Sequence, residues 1–187
     1  GELGDGTNTG HTSPAQVGTA ADWSTVATGM HHILAVKTNG TLWTWGFNSF
    51  GQLGSGNIAD RNSPQQVGTA TDWVAVAAGD GHSLALRTNG SLWGSGDNMY
   101  GQLGNGGTIG TNVFVQIGTA TDWEQVAAGD YHSVALRTNG TIWSWGANGS
   151  GQLGTGNTTD QHAPVQVGSA TDWTGIGSGK YHCIARR

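Results

Sequence analysis

A histidine recurs every fifty residues along the chain, at His32, His82, His132 and His182. Imidazole can bind a metal, carry a proton or act as a general base. Those chemistries need unlike groups converging on one point. A residue repeated at a fixed period comes round on successive copies of one unit and lies around a ring instead. Each periodic histidine is therefore expected to tie a turn to the neighbouring unit by a hydrogen bond. His31 sits beside His32, and His11 and His162 fall in variable, Gly-rich stretches. No ligand spacing such as His-x-x-x-His accompanies them, so they read as surface histidines and no metal is expected.

Other chemistry is equally sparse. There is no nucleophile elbow, phosphate loop or paired-carboxylate signature. Gly54-Ser-Gly56 and Gly104-Asn-Gly106 are fragments that return in every period, so they read as turns and not as nucleotide cradles. Asn39-Gly-Thr, Asn89-Gly-Ser and Asn139-Gly-Thr match glycosylation acceptors, but a hairpin role accounts for them without sugar. The reading is a protein that is not an enzyme and uses no cofactor. Charged residues make up 10% of the chain and the formal net charge is −5. With no basic patch, binding to nucleic acid or to an anionic membrane has no electrostatic basis. No apolar run approaches the roughly 18 residues of a membrane span. The single cysteine, Cys183, can form no intrachain disulfide and selects no compartment. The chain begins at Gly1 without Met and shows no signal peptide, as a trimmed or processed chain would.

The elements that carry these residues are set by the repeat. Gly-Glu-Leu-Gly opens the chain, and Gly-Gln-Leu-Gly returns at Gly51, Gly101 and Gly151. Asp-Trp recurs at Asp22-Trp23, Asp72-Trp73, Asp122-Trp123 and Asp172-Trp173. In the second period, four short extended stretches are predicted: Pro64 to Val67, Trp73 to Ala78, His82 to Arg87 and Ser91 to Gly96. Asn89-Gly90 between apolar runs is a strong hairpin signal. Nothing shows helical periodicity. Four-stranded units repeating at about 40 to 50 residues predict propeller blades. The expected fold is thus all-β, a β-propeller over 1–187 with repeats 1–50, 51–100, 101–150 and 151–187. The last repeat is truncated, without counterparts of Thr38 to Phe50. This predicts fifteen strands and about four blades, the last incomplete. Trp23, Trp73, Trp123 and Trp173 are expected to pack between blades, each burying on the order of 150–250 Å².

The run Val76-Ala-Ala-Gly79-Asp-Gly-His82-Ser-Leu-Ala-Leu86, and the run Asn139-Gly-Thr-Ile-Trp143-Ser-Trp-Gly146-Ala-Asn148 leading into Gly151-Gln-Leu-Gly154, resemble the repeat of the regulator of chromosome condensation family. The resemblance covers essentially the whole chain. Members usually close seven blades into a ring, whereas this chain carries fewer than four. They include a guanine-nucleotide exchange factor for a small GTPase, a plant UV-B photoreceptor, a bacterial β-lactamase inhibitor and parts of large ubiquitin ligases. The resemblance implies a rigid disc whose loops grip another protein. It does not extend to photoreception. The Gly-Trp-Arg-His-Thr pattern of the photoreceptor is replaced here by Gly79-Asp-Gly-His-Ser and Gly129-Asp-Tyr-His-Ser. Nor do the periods contain extra residues for the wedge that exchange activity uses.

The positions that vary while the frame repeats are the candidate binding site. They are Met30, Asp80, Asp130, Tyr131 and Tyr181 after the periodic Gly, and Phe47, Phe50, Asp97, Met99 and Tyr100 before the Gly-Gln-Leu-Gly turn. Aromatic and methionine side chains gathered on one face are binding anchors, and the three aspartates add an acidic rim that favours a basic partner. The expected function is a non-enzymatic scaffold for a protein partner. Nucleotide exchange on a small GTPase and self-assembly of a purely structural fragment are the alternatives. Four blades are at the low end for a closed propeller, so a homo-oligomer completing the ring is also expected.

Overall fold

A computed structural model of the chain describes residues 1–187. It contains strands and turns and no helix. The first blade is the antiparallel sheet β1 (Trp23–Thr28), β2 (His32–Lys37), β3 (Leu42–Gly46) and β4 (Arg61–Gln66), in that order. The second is β5 (Trp73–Ala78), β6 (His82–Arg87), β7 (Leu92–Gly96) and β8 (Thr111–Gln116). The third is β9 (Trp123–Ala128), β10 (His132–Arg137), β11 (Ile142–Gly146) and β12 (Gln161–Gln166). A two-stranded sheet of β13 (Gly175–Gly179) and β14 (His182–Arg186) follows. The first strands of successive sheets stand side by side, β5 between β1 and β9, and β9 beside β13. The sheets are therefore arranged as blades about a shared axis.

Fourteen strands form, one fewer than the repeat predicts. The missing one is Pro14 to Val17, which is irregular. Its physical reason lies in the pairing. The fourth strand of each blade comes from the following period, as β4 pairs with β3 and β8 with β7. Pro14 to Val17 has no such third strand before it to pair with.

The apolar core sits between blades, not within them. Leu34, Val36 and Leu42 of the first blade pack on Trp73 and Ala85 of the second. Leu84, Leu86 and Leu92 pack on Trp123, Ala135 and Trp145 of the third. Val134, Leu136 and Ile142 pack on Trp173, Ile176 and Ala185. A bulge opposite Arg87 sets the register between Trp73 and Ala75, and Val74 at the bulge turns to solvent. The Asn-Gly hairpins lock one blade to the next. Gly90, at φ +74°, lies against the Thr121 carbonyl, and its own carbonyl accepts the Trp123 amide at 3.1 Å. A side chain there would be strained and obstructed.

Candidate functional site

Two kinds of turn converge on one face. The first joins a blade's first and second strands, at residues 29–31, 79–81, 129–131 and 180–181. The second follows the third strand and contains Gly-Gln-Leu-Gly. A buried asparagine holds it: Asn48 Nδ2 donates to the Asn57 and Ala59 carbonyls, both at 3.0 Å, while its Oδ1 accepts the Leu53 amide. Asn98 and Asn148 do the same in their blades. The turn is then pinned to the following blade. The Gln102 carbonyl accepts Ser133 Oγ at 2.7 Å and Trp145 Nε1 at 2.8 Å.

Three of the four periodic histidines bridge the same seams, as expected, while His182 is exposed on β14 and its ring makes no such bond. His32 Nε2 lies 2.8 Å from Ser83 Oγ, and His82 Nε2 lies 3.0 Å from Ser133 Oγ. Each serine hydroxyl donates to a glutamine carbonyl, Ser83 to Gln52 and Ser133 to Gln102. The histidine Nε2–H must therefore be the donor to the serine. His132 departs from the pattern because Cys183 stands where Ser83 and Ser133 do. Its Nε2 meets Ser178 Oγ at 3.0 Å instead. Burial drives the His82 pKa down to about 3 and that of His32 to about 4, and lowers that of His132. These imidazoles are neutral structural donors. Burial also raises the Cys183 thiol above its ordinary value, so it is a poor nucleophile.

The variable residues form a connected surface across this framework. His31 packs on Phe47 with centroids 6.2 Å apart, and Phe47 on Phe50 at 6.1 Å. The Phe50 ring lies over Gly81, beside Asp97. Tyr100 packs on Tyr131 at 5.5 Å, and the Tyr131 hydroxyl donates to Asp80 at 2.9 Å. That bond, with the Asp80 charge, raises the Tyr131 phenol to about 12. Asp80 N–H bonds the Asp130 carbonyl across the seam, and Asp130 pairs with Lys180 at 3.3 Å. Lys180 in turn sits 5.1 Å over the Tyr181 ring. Met30, Phe50, Tyr181 and Met99 are half exposed or more, Met99 at 64%. At the inner end, Gly29, Gly79, Gly129 and Gly179 with Met30, Asp130 and Lys180 line a depression of about 270 Å³. The acidic residues are less free than expected. Asp80 holds Tyr131, Asp130 holds Lys180, and Asp97 accepts Gln102 Nε2 at 2.9 Å and the Met99 amide at 3.1 Å.

One periodic set was missed by sequence reasoning. Lys37, Arg87, Arg137 and Arg187 lie over the tryptophan rings, Arg87 at 4.5 Å from Trp73 and 4.1 Å from Trp93. Each also meets the aspartate of its Asp-Trp pair, as Lys37 does Asp22 at 3.1 Å. The signal was present: three of these cations directly precede Thr-Asn-Gly.

An all-β arc of four-stranded blades, with the core between blades and loops gathered on a face, defines a β-propeller protein. The model of the regulator of chromosome condensation (RCC1) repeat matches residues 39–86, 89–136 and 139–186. A second model of that repeat matches 23–52, 73–102 and 123–152. The chain belongs to the regulator of chromosome condensation repeat family. Among solved structures it is similar to Prp20p from Saccharomyces cerevisiae, with a TM-score of 0.79 and 24% identity over 88% of this chain and 43% of that one. That structure is described with the binding properties of Prp20p to Gsp1p and histones. Yeast RCC1 (Prp20) in its complex with Kap60 gives 0.79 and 25% identity, over 88% of this chain and 42% of that one. Human WBSCR16 gives 0.64 and 20%, over 87% and 57%. The chain thus spans less than half the length of Prp20p. No curated protein matches it significantly.

Proposed function

We propose that the chain is a non-enzymatic scaffold that holds a protein partner across its loop face. The observation that carries this reading is a pair of aromatic contacts on that face, Phe47 with Phe50 and Tyr100 with Tyr131, with Met30, Met99 and Tyr181 exposed on the same loops. Large apolar and aromatic side chains on a rigid, mostly uncharged frame are what anchors a protein interface. The partners of the relatives, Gsp1p and histones for Prp20p and Kap60 for yeast RCC1, are proteins and supply probes. Asp80 and Asp97 favour a basic surface near the seam. Purified core histones, a Gsp1p-type GTPase and Kap60 are to be titrated against the intact chain and the combined variant Phe50→Ala, Tyr100→Ala, Tyr131→Ala. The variant is expected to bind about tenfold more weakly or worse. Undiminished capture by the variant would count against these anchors.

Nucleotide exchange on a small GTPase is the second reading, favoured by the likeness to yeast RCC1. Accelerated release of labelled GDP supports it, and no acceleration across a panel of GTPases removes it. Closure of the ring by a second copy is a further element of the proposal. It is favoured by exposed Val26 on the first blade and Ile184 on β14. A strictly monomeric mass by light scattering at micromolar concentration would defeat it.

A further inference from the structure

Each complete blade closes one aromatic ring into the same socket. In the third blade Trp145 is fully buried. Its Nε1–H donates to the Gln102 carbonyl at 2.8 Å, and its ring lies against Gly104 and packs on Trp123 at 6.2 Å. In the first blade Trp45 donates to the Glu2 carbonyl at 2.9 Å, lies against Gly4 and packs on Trp23 at 6.1 Å. In the second, Ser95 stands at the tryptophan position. There Phe114, which replaces Pro64 and Pro164, fills the space against Gly54 and Trp73, 5.6 Å from the Trp73 ring. The walls are thus a turn carbonyl, a left-handed glycine and the tryptophan of the following Asp-Trp pair.

At the two-stranded sheet the same walls enclose a cavity. Gln152, Gly154 and Trp173 occupy the equivalent positions. With Val134, Ile142 and Cys183 they line a space of about 360 Å³. The Gln152 carbonyl accepts no hydrogen bond. Gly154 is exposed where Gly4, Gly54 and Gly104 are buried, and a Cβ on it would meet only Val167. A second site beside it is half made. Trp43, Trp93 and Trp143 stand edge-on to Trp23, Trp73 and Trp123 at 6.0 to 6.1 Å, and Arg137 covers both Trp123 and Trp143. Arg187 covers Trp173 alone. An open strand edge runs past both sites. The Arg186 carbonyl accepts the Thr174 amide on the β13 side. By the alternation of an antiparallel ladder, Cys183 and Ala185 turn their N–H and C=O groups to the edge. In the third blade the equivalent Ser133 and Ala135 face Trp145 and Trp143 of the third strand.

We propose that this half-blade docks an extended segment of another polypeptide that carries tryptophan-x-tryptophan-glycine. The segment adds along β14 as a third strand, in the register of β11 on β10, with its glycine opposite His182 and its tryptophans opposite Cys183 and Ala185. The tryptophan opposite Cys183 enters the cavity and donates its indole N–H to the Gln152 carbonyl. The one opposite Ala185 stands edge-on to Trp173 beside Arg187. Main-chain hydrogen bonds supply affinity and the two indole sites supply selectivity. A buried indole removes on the order of 150–250 Å² from water. A folded second copy is a poor donor, because its own Trp-x-Trp-Gly strands are central in their blades, with Trp45 and Trp145 buried. The proposal goes beyond the loop-face reading and shares with it only Tyr181 at the rim of the cavity. It is also separate from ring closure, which uses the exposed Ile184 on the other face of β14.

The probe is a fluorescein-labelled, end-blocked peptide Asn-Gly-Thr-Ile-Trp-Ser-Trp-Gly, the sequence of residues 139–146, followed by anisotropy against the intact chain. Saturable binding is expected. Alanine in place of the peptide's second tryptophan should weaken it about tenfold or more. Cys183→Phe puts the chain's own ring into the cavity and should weaken binding as much while thermal melting is kept. Saturating unlabelled peptide should suppress the reaction of Cys183, the single cysteine, with a thiol reagent. No binding by the intact chain, equal binding of the alanine peptide, or a Cys183 left unprotected overturns the proposal. So does equal binding by Cys183→Phe that melts as the intact chain does. The peptide comparison and the thiol reaction use the unaltered chain, so they decide the matter even if Cys183→Phe does not fold. Self-association of the intact chain that the peptide disperses would give the cavity to a second copy and also overturns the proposal. Phe50, Tyr100 and Tyr131 are untouched throughout, so loop-face binding is read separately.

Discussion

The seams between blades and the loop face come from the same repeat, yet the period is held in one and broken in the other. At the seams His32, His82 and His132 are identical, and Leu34, Leu84 and Val134 fill equivalent places. On the loop face one position reads Phe50, Tyr100 and Ser150, and another reads His31, Gly81, Tyr131 and Tyr181. A seam side chain meets the next blade's main chain at fixed distance, so its length and polarity are dictated. A Cβ on Gly79 would strike the His82 ring and the Gly129 carbonyl together. A loop side chain has solvent on one side and is free to change. The exchange of Trp45 with Pro64 for Ser95 with Phe114 lies between these regimes. It shows that a seam demands a filled volume and not a particular residue.

The sharpest way to break the seams is acid. Unfolded imidazole takes up a proton near pH 6.5. Burial holds His82 and His32 down to about 3 and 4, and lowers His132. The unfolded chain then binds protons that the native chain refuses. Stability is full above pH 6.5 and falls as pH drops toward the native values. Each histidine removes up to about 1.4 kcal/mol per pH unit. Melting temperature should fall by about 10 °C or more between about pH 7.5 and pH 5. The carboxyls of Glu2 and Asp5, held below their ordinary values mainly by main-chain hydrogen bonds, titrate below this window. An equal melting temperature at both pH values would show that the seam histidines are not coupled to folding.

Leu84→Ala comes next. Leu84 is fully buried in the second seam. Truncation leaves a cavity between two rigid sheets and should cost about 2–5 kcal/mol in urea unfolding. A loss below 1 kcal/mol would mean the seam relaxes and is not the jigsaw described.

How much of this contrast was legible in the sequence follows from the same physics. The strands, the hairpins and the seam histidines were readable because each is fixed by a local pattern that recurs. The pairing partner was not. Nothing within Pro64 to Val67 says that it joins the strand before it and not the one after it, so the period alone predicts a fifteenth strand at Pro14 to Val17, where the structure has none. The candidate residues of the loop face could be picked out because they break the period. Their contacts could not, since Tyr131 finds Asp80 and Phe50 lies over Gly81 only across a seam. The cations over the tryptophans escaped because a lone Arg or Lys before Thr-Asn-Gly reads as an ordinary charge at a hairpin.

Tyr131→Phe tests a residue that belongs to both regions. It removes the bond to Asp80 and leaves the packing on Tyr100. The expected loss is about 0.5–1.5 kcal/mol. The phenol pKa is raised, so the bond's contribution is present below pH 10 and disappears as pH rises toward 12. Ultraviolet titration should lose its last-titrating tyrosine in the variant. If Tyr131→Phe leaves the upper end of the titration curve unchanged, the bond does not persist in solution.

The smallest effect is predicted where the period is most broken. Phe50→Ala, Met99→Ala and Tyr181→Ala remove side chains that are half exposed or more and carry no seam contact to a buried polar group. Surface truncations of this kind change stability by no more than about 0.5 kcal/mol each. The aromatic pair of Phe50 with Phe47 sets the upper end of that range. Urea unfolding of the three single variants should therefore overlay the intact chain, with the same midpoint and slope. A loss above 2 kcal/mol at any one of them would move it from the loop face into the seam. It would then owe its identity to packing, and that position would no longer be free to have been chosen for a partner.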